Sequence, residues 1–306
     1  MHRCPILGTR GSPLAMAQAT KVASALEVAN RWAAGDVQIV TITTSGDRIQ
    51  DRPLADIGGK ALWTKELDKA LLDGVTDFSV HSLKDVESDR PRGIQLAAVR
   101  PRADVRDRII GAPSIAELKR GAVVGTSSPR RQAQLLALRP DLRIVPLRGN
   151  VDTRLGKLEA GDMDAIILAA AGLIRLGRKS LGAPIPIAQM LPAPGQAVIA
   201  MECRADDTLT VLALRLVDDA ATHAAIDAER AFTAALGATC HSPVAALATI
   251  DRGRIRLRAQ LLAEDGSASI ADETRFEIGE IGAAAAFARA MLERAPAAIR
   301  TLFDAA

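Results

Sequence analysis

The chain has 306 residues, 48% hydrophobic and 25% charged, a composition that builds buried cores and is not that of a disordered protein. That length exceeds what one core organises, so two or three domains are expected. The 39 Lys and Arg nearly balance the 36 Asp and Glu. No Tyr, two Trp and five Phe leave few aromatic faces, which counts against a base-stacking nucleic-acid surface.

The amino terminus, Met1-His2-Arg3-Cys4-Pro5, runs into a short strand at Ile6-Leu7 without a signal-like apolar region, and no apolar run is long enough to span a membrane. Cys4, Cys203 and Cys240 are odd in number and far apart, so they suit neither a disulfide framework nor a zinc site. A reducing, cytoplasmic setting is expected, with no metal. Gly8-Thr9-Arg10-Gly11-Ser12-Pro13 follows the first strand and opens an Ala-rich helix over about Leu14–Ala34. Ser12 is a good N-cap and Pro13 a good first residue, so the helix start offers N–H groups to an anion, and Arg10 adds a fork of donors. A plain capped helix fits these residues too.

A strand over Val37–Thr43 leads to a polar segment ending in Gly58-Gly59-Lys60. Paired glycines let such a segment move, so Lys60 is a candidate lid residue. A helix over Trp63–Leu72 precedes the apolar run Phe78–Val80, which stops abruptly at His81-Ser82-Leu83-Lys84-Asp85-Val86. Ligands of open α/β sheets gather at the carboxyl ends of strands, which makes Asp85 a candidate acid or electrostatic stabiliser and Ser82 and Lys84 candidate anion contacts. A solvated strand-to-helix turn is the competing reading.

Val99–Arg108 is charged, holds Pro101 and has no apolar face, which marks a first crossing between domains. Beyond it the pattern returns. Gly125-Thr126-Ser127-Ser128-Pro129 follows an apolar strand and opens a helix as Ser12-Pro13 did, and Gly161-Asp162-Met163-Asp164 before Ala165–Leu168 echoes Gly74-Val75-Thr76-Asp77 before Phe78. Two related α/β domains across a cleft are expected. Arg130 and Arg131 lie in the first turn of the second helix, where the dipole is already positive, so an anion belongs nearby. Arg148, Arg154 and Arg175 stand at further strand-to-helix turns. Planar Arg forks suit carboxylates or phosphates, and the lack of a Walker-type loop favours a carboxylate-rich molecule.

Leu191-Pro192-Ala193-Pro194-Gly195-Gln196 marks a second crossing, followed by a strand over Ala197–Glu202. Helices over Leu209–Val217 and Thr222–Leu236 lead to Gly237-Ala238-Thr239-Cys240-His241-Ser242-Pro243. A β-hairpin over Val244–Leu262 with its turn at Asp251–Arg254, a strand near Thr274–Ile278 and a helix over about Ala283–Phe303 complete a small third domain. Cys240, in its turn, is either an inert thiol or a reactive one.

Taken together, the Gly8–Ala15 stretch, Gly58-Gly59-Lys60, His81–Val86, Gly125–Gln132, Leu147-Arg148-Gly149-Asn150-Val151, Ala171-Gly172-Leu173, Arg175-Leu176-Gly177, Leu191-Pro192-Ala193 with Gly195-Gln196, and Glu202-Cys203-Arg204 resemble the porphobilinogen deaminase family, also called hydroxymethylbilane synthases. The resemblance spans the chain in family order. It implies a periplasmic-binding-protein-like, hinged α/β fold of three domains: 1–100 with 198–216, 101–197, and 217–306, the last a small α/β domain with an antiparallel sheet. It implies a transferase that condenses four porphobilinogen molecules, with loss of ammonia, onto a dipyrromethane cofactor held by Cys240, and releases hydroxymethylbilane. Asp85 becomes the catalytic residue. Lys84, Ser82, Thr126, Ser128, Arg130, Arg131, Arg148 and Arg154 become cofactor contacts, and Arg10, Ser12, Lys60, Arg175 and Gln196 substrate contacts.

The resemblance further implies a monomer whose partner is porphobilinogen and neither nucleic acid nor membrane. Thr239 stands where the family has a glycine before the cysteine, which bears on the loop backbone. Ala197 and Trp63 replace a family glycine and a family Phe, and both read as packing substitutions. Two other classes share some of these features. A solute-binding module needs the hinge and the arginines but not Asp85 or Cys240, and a nucleic-acid binder needs more net charge and aromatics than the chain has.

Overall fold

The computed structural model describes residues 4–44 and 64–303. Two compact units result, one from residues 4–44, 64–103 and Ala197–His223, the other from Asp104–Gln196 and residues 224–303. In chain order the strands are β1 Ile6–Thr9, β2 Gln38–Thr41, β3 Phe78–Ser82, β4 Ile94–Val99, β5 Asp107–Ile110, β6 Val123–Gly125, β7 Arg143–Val145, β8 Ala165–Ala169, β9 Ala183–Pro184, β10 Ile199–Arg204, β11 Val244–Asp251, β12 Arg254–Leu262 and β13 Ser269–Glu277. The helices are α1 Pro13–Asn30, α2 Lys65–Leu72, α3 Pro129–Leu138, α4 Val151–Glu159, α5 Ala170–Arg175, α6 Thr208–Arg215, α7 Ala220–Ala235, α8 Ile281–Arg294 and α9 Ala297–Arg300.

The first unit carries a sheet of order β2-β1-β3-β10-β4, and the second a sheet of order β7-β6-β8-β5-β9. In each, the three leading strands run parallel and the other two are joined antiparallel. The two α/β sheets therefore share one arrangement of strands and strand senses, as the sequence echoes imply, although the fourth strand comes last along the chain in the first sheet and first in the second. The echoes have a physical basis. Asp77 accepts from Ile6 N–H at 2.7 Å and its own N–H donates to Ile6 O at 2.8 Å; Asp164 does the same with Val123, at 2.7 and 2.8 Å. Each Asp thus locks the start of one strand to the start of its neighbour.

Helix α1 buries Gln18, Ala19, Val22, Ala23 and Leu26, one stripe at helical spacing, against Leu7, Phe78, Val80 and Met201. It stops before the expected Ala34 because Arg31 turns left-handed at φ 58, sending its N–H to Glu27 O and Val28 O. Strands β4 and β5 lie where no strand was expected. The charge of Asp107 hid β5, yet Asp107 is only 1% exposed there.

The third sheet, β11-β12-β13, is antiparallel within the second unit. Alternation along β12 sends Ile255, Leu257, Ala259 and Leu261 into a core with Phe232, Phe276 and Met291. Its hairpin turns through Arg252 at φ 52 and Gly253 at φ 78, the two positive values of a type I′ turn. The expected closing helix breaks in two at Pro296. Proline cannot donate there and pushes Ala295 to ψ 147, out of the helical region.

At the passage from Gln196 to Ala197, Ala197 has φ 73. Only glycine adopts that conformation without cost, so the loss of a glycine there acts on the backbone and is not the packing substitution expected. Its carbonyl accepts from Ala103 N–H at 3.2 Å, which pairs the two crossing strands within the first unit. Ala197→Gly is expected to raise the free energy of unfolding by about 1 kcal/mol, read from urea titration at unchanged slope. An unchanged or lower midpoint would show that Ala197 sits there without strain.

Candidate active site

The functional side chains collect at the carboxyl ends of the parallel strands, and each unit has its own set. In the first unit, β1 ends at buried Thr9 and is followed by Arg10 and by Ser12, whose hydroxyl accepts from Ala15 N–H at 3.3 Å. That cap satisfies one of the helix's orphan donors and confirms the predicted helix start. Strand β3 ends at Ser82 and turns at once into a single 3-10 turn, Leu83–Asp85, closed by Val86 N–H on Leu83 O at 2.9 Å. Leu83 is buried and its N–H is fixed to Val198 O at 3.1 Å, so the turn is anchored on β10 while Lys84 and Asp85 stay half-buried. The Asp85 carboxylate makes no hydrogen bond or ion pair among the described residues.

Ser82 is held by Gln18, whose amide nitrogen donates to its hydroxyl at 2.9 Å. Sequence reasoning passed over Gln18. Its signal was a polar residue on the buried stripe of an Ala- and Val-rich helix. Lys60 and the lid segment lie outside the described residues, as does Trp63.

In the second unit, β6 ends at Gly125 and is followed by buried Thr126, whose hydroxyl accepts from Ser128 N–H at 3.2 Å, and Ser128 caps α3 through Arg131 N–H at 3.4 Å. Ser127 ties this turn to the next, accepting from Leu147 N–H and donating to Leu147 O, both at 3.0 Å. Arg148 follows, and Gly149 at φ 105 lies so close to Thr153 that an added Cβ would stand 2.7 Å from its Cβ. Arg154, one turn along α4, returns its Nε to Gly149 O at 2.8 Å. Arg175 ends α5, and burial lowers its guanidinium to about 10, so it is still charged at neutral pH.

The anion expected near Arg130 and Arg131 is Asp107. Arg130 Nη2 donates to Asp107 Oδ2 at 2.8 Å, Arg131 Nη2 to Oδ1 at 2.7 Å, and Gln196 Nε2 to Oδ1 at 2.9 Å. Arg130 Nη1 also donates to Leu191 O and to Gln134 at 2.8 Å each, and Arg131 Nη1 to Ile167 O at 3.0 Å. Nε of each arginine is buried and without a hydrogen-bond partner. Burial alone would raise the Asp107 carboxyl; the two guanidiniums outweigh it and hold the group well below the usual carboxylate range.

Cys240 is exposed, whereas Cys203 is buried and pushed up to about 11, chiefly by burial. In the loop before Cys240, Gly237 is left-handed at φ 62 and Thr239 is not: Thr239 Oγ1 accepts from His241 N–H at 3.2 Å, and Ser242 Oγ accepts from Thr239 N–H at 3.0 Å. Among the described residues no group of His, Cys, Asp and Glu is arranged to hold a metal, and no helix is long and apolar enough to cross a membrane.

Guanidiniums and hydroxyls at strand ends suit a small molecule bearing several carboxylates, and they place the chain among α/β enzymes that act on such molecules. The family model for the porphobilinogen deaminase dipyromethane cofactor binding domain matches residues 6–211, and that for the porphobilinogen deaminase C-terminal domain matches residues 223–294. The porphobilinogen deaminase of Sphingopyxis alaskensis is 52% identical over 97% of this chain and 96% of its own length, and that of Nitrobacter hamburgensis 45% identical over 98% and 96%. The chain belongs to the porphobilinogen deaminase family. Among solved structures, a periplasmic substrate-binding protein from Coxiella burnetii is 17% identical over 70% of this chain and 91% of its own, with a TM-score of 0.43, too low to carry an argument.

Asp107→Asn leaves two buried guanidiniums uncompensated and is expected to cost about 3–5 kcal/mol at pH 7, read from urea titration. The sign with pH follows from the depressed carboxyl. Its contribution is present above the ordinary carboxylate range and is lost as pH falls through the folded value, so the gap between wild type and variant narrows below about pH 4. A gap independent of pH would show that the charge of Asp107 is not what stabilises.

Proposed function

We propose that this chain joins four porphobilinogen molecules head to tail, with loss of ammonia at each addition, onto a dipyrromethane carried by Cys240, and releases the linear tetrapyrrole hydroxymethylbilane. The observation that carries the reading is Asp85: a half-buried carboxylate, fixed by backbone at the end of β3, that makes no hydrogen bond or ion pair among the described residues. It is the negative group placed to face the pyrrole N–H of an incoming substrate. As ammonia leaves and the carbon–carbon bond forms, positive charge develops on that nitrogen, and Asp85 stabilises it.

The residues present fit a dipyrromethane. Its pyrroles each carry an acetate and a propionate, and the orphaned Nε atoms of Arg130 and Arg131 are unused donors for such carboxylates on the Thr126–Ser128 turn. Arg148, Arg154, Lys84 and Ser82 complete the set that would hold it, and Cys240 is the exposed thiol of the three. When bound, the group supplies a pyrrole carbon as acceptor for the first substrate. Arg10, Ser12, Arg175, Gln196 and Lys60 would bind the carboxylates of substrate and lengthening product. Gln196 is also fixed to Asp107 and to Val105 O at 2.8 Å, so it orients more than it reaches.

Three domains go with this reading: one carrying Asp85, one the arginines, and a third, from about residue 217, the cofactor-bearing loop. Three free cysteines support a reducing, cytoplasmic setting, and a monomer goes with the same reading.

Intact mass spectrometry of the purified protein is expected to give the sequence mass plus two pyrrole units. Cys240→Ser should abolish the addition while Cys4→Ser and Cys203→Ser keep it; an unmodified, fully active wild-type chain would end the proposal. Asp85→Asn keeps shape and one acceptor but removes the charge, so binding should largely survive while turnover falls about 100-fold or more. If a folded, cofactor-loaded Asp85→Asn turned over within a few-fold of wild type, the catalytic group would not be Asp85.

A further inference from the structure

Four ionisable side chains are buried together around β3, the strand that runs into the Asp85 turn. Asp68 comes from α2, His81 from β3, Glu202 from β10 and Arg90 from the segment joining the Asp85 turn to β4. Arg90 grips Glu202 with Nε at 2.7 Å and Nη2 at 2.9 Å, and Nη2 reaches Asp68 at 2.5 Å. His81 Nε2 stands 3.4 Å from Glu202 Oε2, beyond a normal hydrogen bond, and that nitrogen has no other partner. None of the four side chains is more than 8% exposed. The register irregularity between Met201 and Glu202 in the β10–β4 pairing lies at this acid, a usual device for re-aiming a side chain.

The cluster is a competition for two carboxylates. An imidazole this deep would take a proton if a carboxylate were free to pair with it; the bidentate guanidinium has claimed them. Burial first, and Arg90 second, lower His81 to about 4; Asp68 and Asp85 pull the other way, and Arg10 adds a little to the lowering. His81 lies one residue before the end of β3, four positions ahead of Asp85 in the turn that follows.

We infer that Arg90 is a positioning residue for the reaction: by holding Glu202 and Asp68 it keeps His81 uncharged beside Asp85, so that the Asp85 carboxylate is not neutralised from the strand side and remains available to the substrate. The inference rests on the reading of Asp85 as the catalytic carboxylate. A merely structural Arg90 would tether the segment after Asp85 and do nothing to protonation.

The test is a histidine titration by heteronuclear NMR on the purified holoprotein, with His81 assigned by its loss in His81→Asn, alongside the pH dependence of kcat and KM. In the wild type His81 is expected to stay neutral from pH 8 to about 5. In Arg90→Gln its midpoint should rise by about one to three pH units, and the acid limb of kcat should rise with it while KM changes little. Arg90→Lys keeps the charge and should keep both the midpoint and the limb. Adding His81→Asn to Arg90→Gln should return the limb to its wild-type position. A His81 already protonated at pH 6.5 in the wild type overturns the inference without any variant having to fold. An unmoved midpoint in Arg90→Gln overturns the role of Arg90 alone, and a moved midpoint with an unmoved limb overturns its link to turnover. A normally active Asp85→Asn is the separate result that removes the reading beneath it.

Discussion

The second unit is organised by one buried carboxylate. Asp107 opens β5 just after the chain has entered this unit, and the residues that meet it come from α3 and from Gln196, just before the chain leaves. Taking a carboxylate and two guanidiniums out of water costs several kcal/mol per ion, and only a nearly complete set of hydrogen bonds offsets that. The set is nearly complete here. Its donors reach on to Leu191 O and, through Gln134, to Gln260 of β12 at 2.9 Å, so the third sheet is tied to the same point. Glu229, wholly buried on α7, repeats the device by accepting from Gly195 and Ala248 N–H at 2.7 Å each. Polar groups, more than apolar ones, fix where this stretch of chain must lie.

Around that constraint both units use one plan. A parallel β-α-β start, locked by an Asp at the head of the third parallel strand, delivers a Ser-Pro capped helix and a strand end to the same edge of each sheet. The plan leaves short turns at that edge, and short turns tolerate the residues that chemistry requires. Gly149 is needed there because Thr153 leaves no space for a Cβ.

The parts of this arrangement that were legible in the sequence were those with a local cause. Ser12-Pro13 and Ser128-Pro129 announce helix starts through the capping chemistry of the residues themselves, and the abrupt change from Phe78–Val80 to Lys84-Asp85 announces a strand end. The repeat of Asp77 and Asp164 was legible as an echo, but the hydrogen bonds behind it were not. What stayed hidden was non-local. Asp107 reads as a linker residue until its partners, 23 and 24 positions away, are known to surround it. Arg90 and Glu202, 112 positions apart, give no pattern at all, and the left-handed backbone of Ala197 is imposed by the crossing and not by alanine. Strand β4 was overlooked for a different reason: Ile94–Val99 is apolar enough, but its pairing partner β10 arrives only after another unit has been built.

The contrast between Asp107 and Asp85 explains why the charges of this protein are divided as they are. A carboxylate and a guanidinium placed within reach of each other in the interior pair, and Asp107 with Arg130 and Arg131 is that outcome: one Nη of each arginine is spent on holding chain, and Nε of each is left without a partner. In the first unit the buried guanidinium of Arg90 is committed to Glu202 and Asp68, and Asp85 makes no ion pair among the described residues. An enzyme that must greet a developing cation with a carboxylate and several carboxylates with arginines cannot let the two sets neutralise one another within a unit. Internal ion pairs that absorb the nearest counter-charges are how a single fold keeps both sets in use.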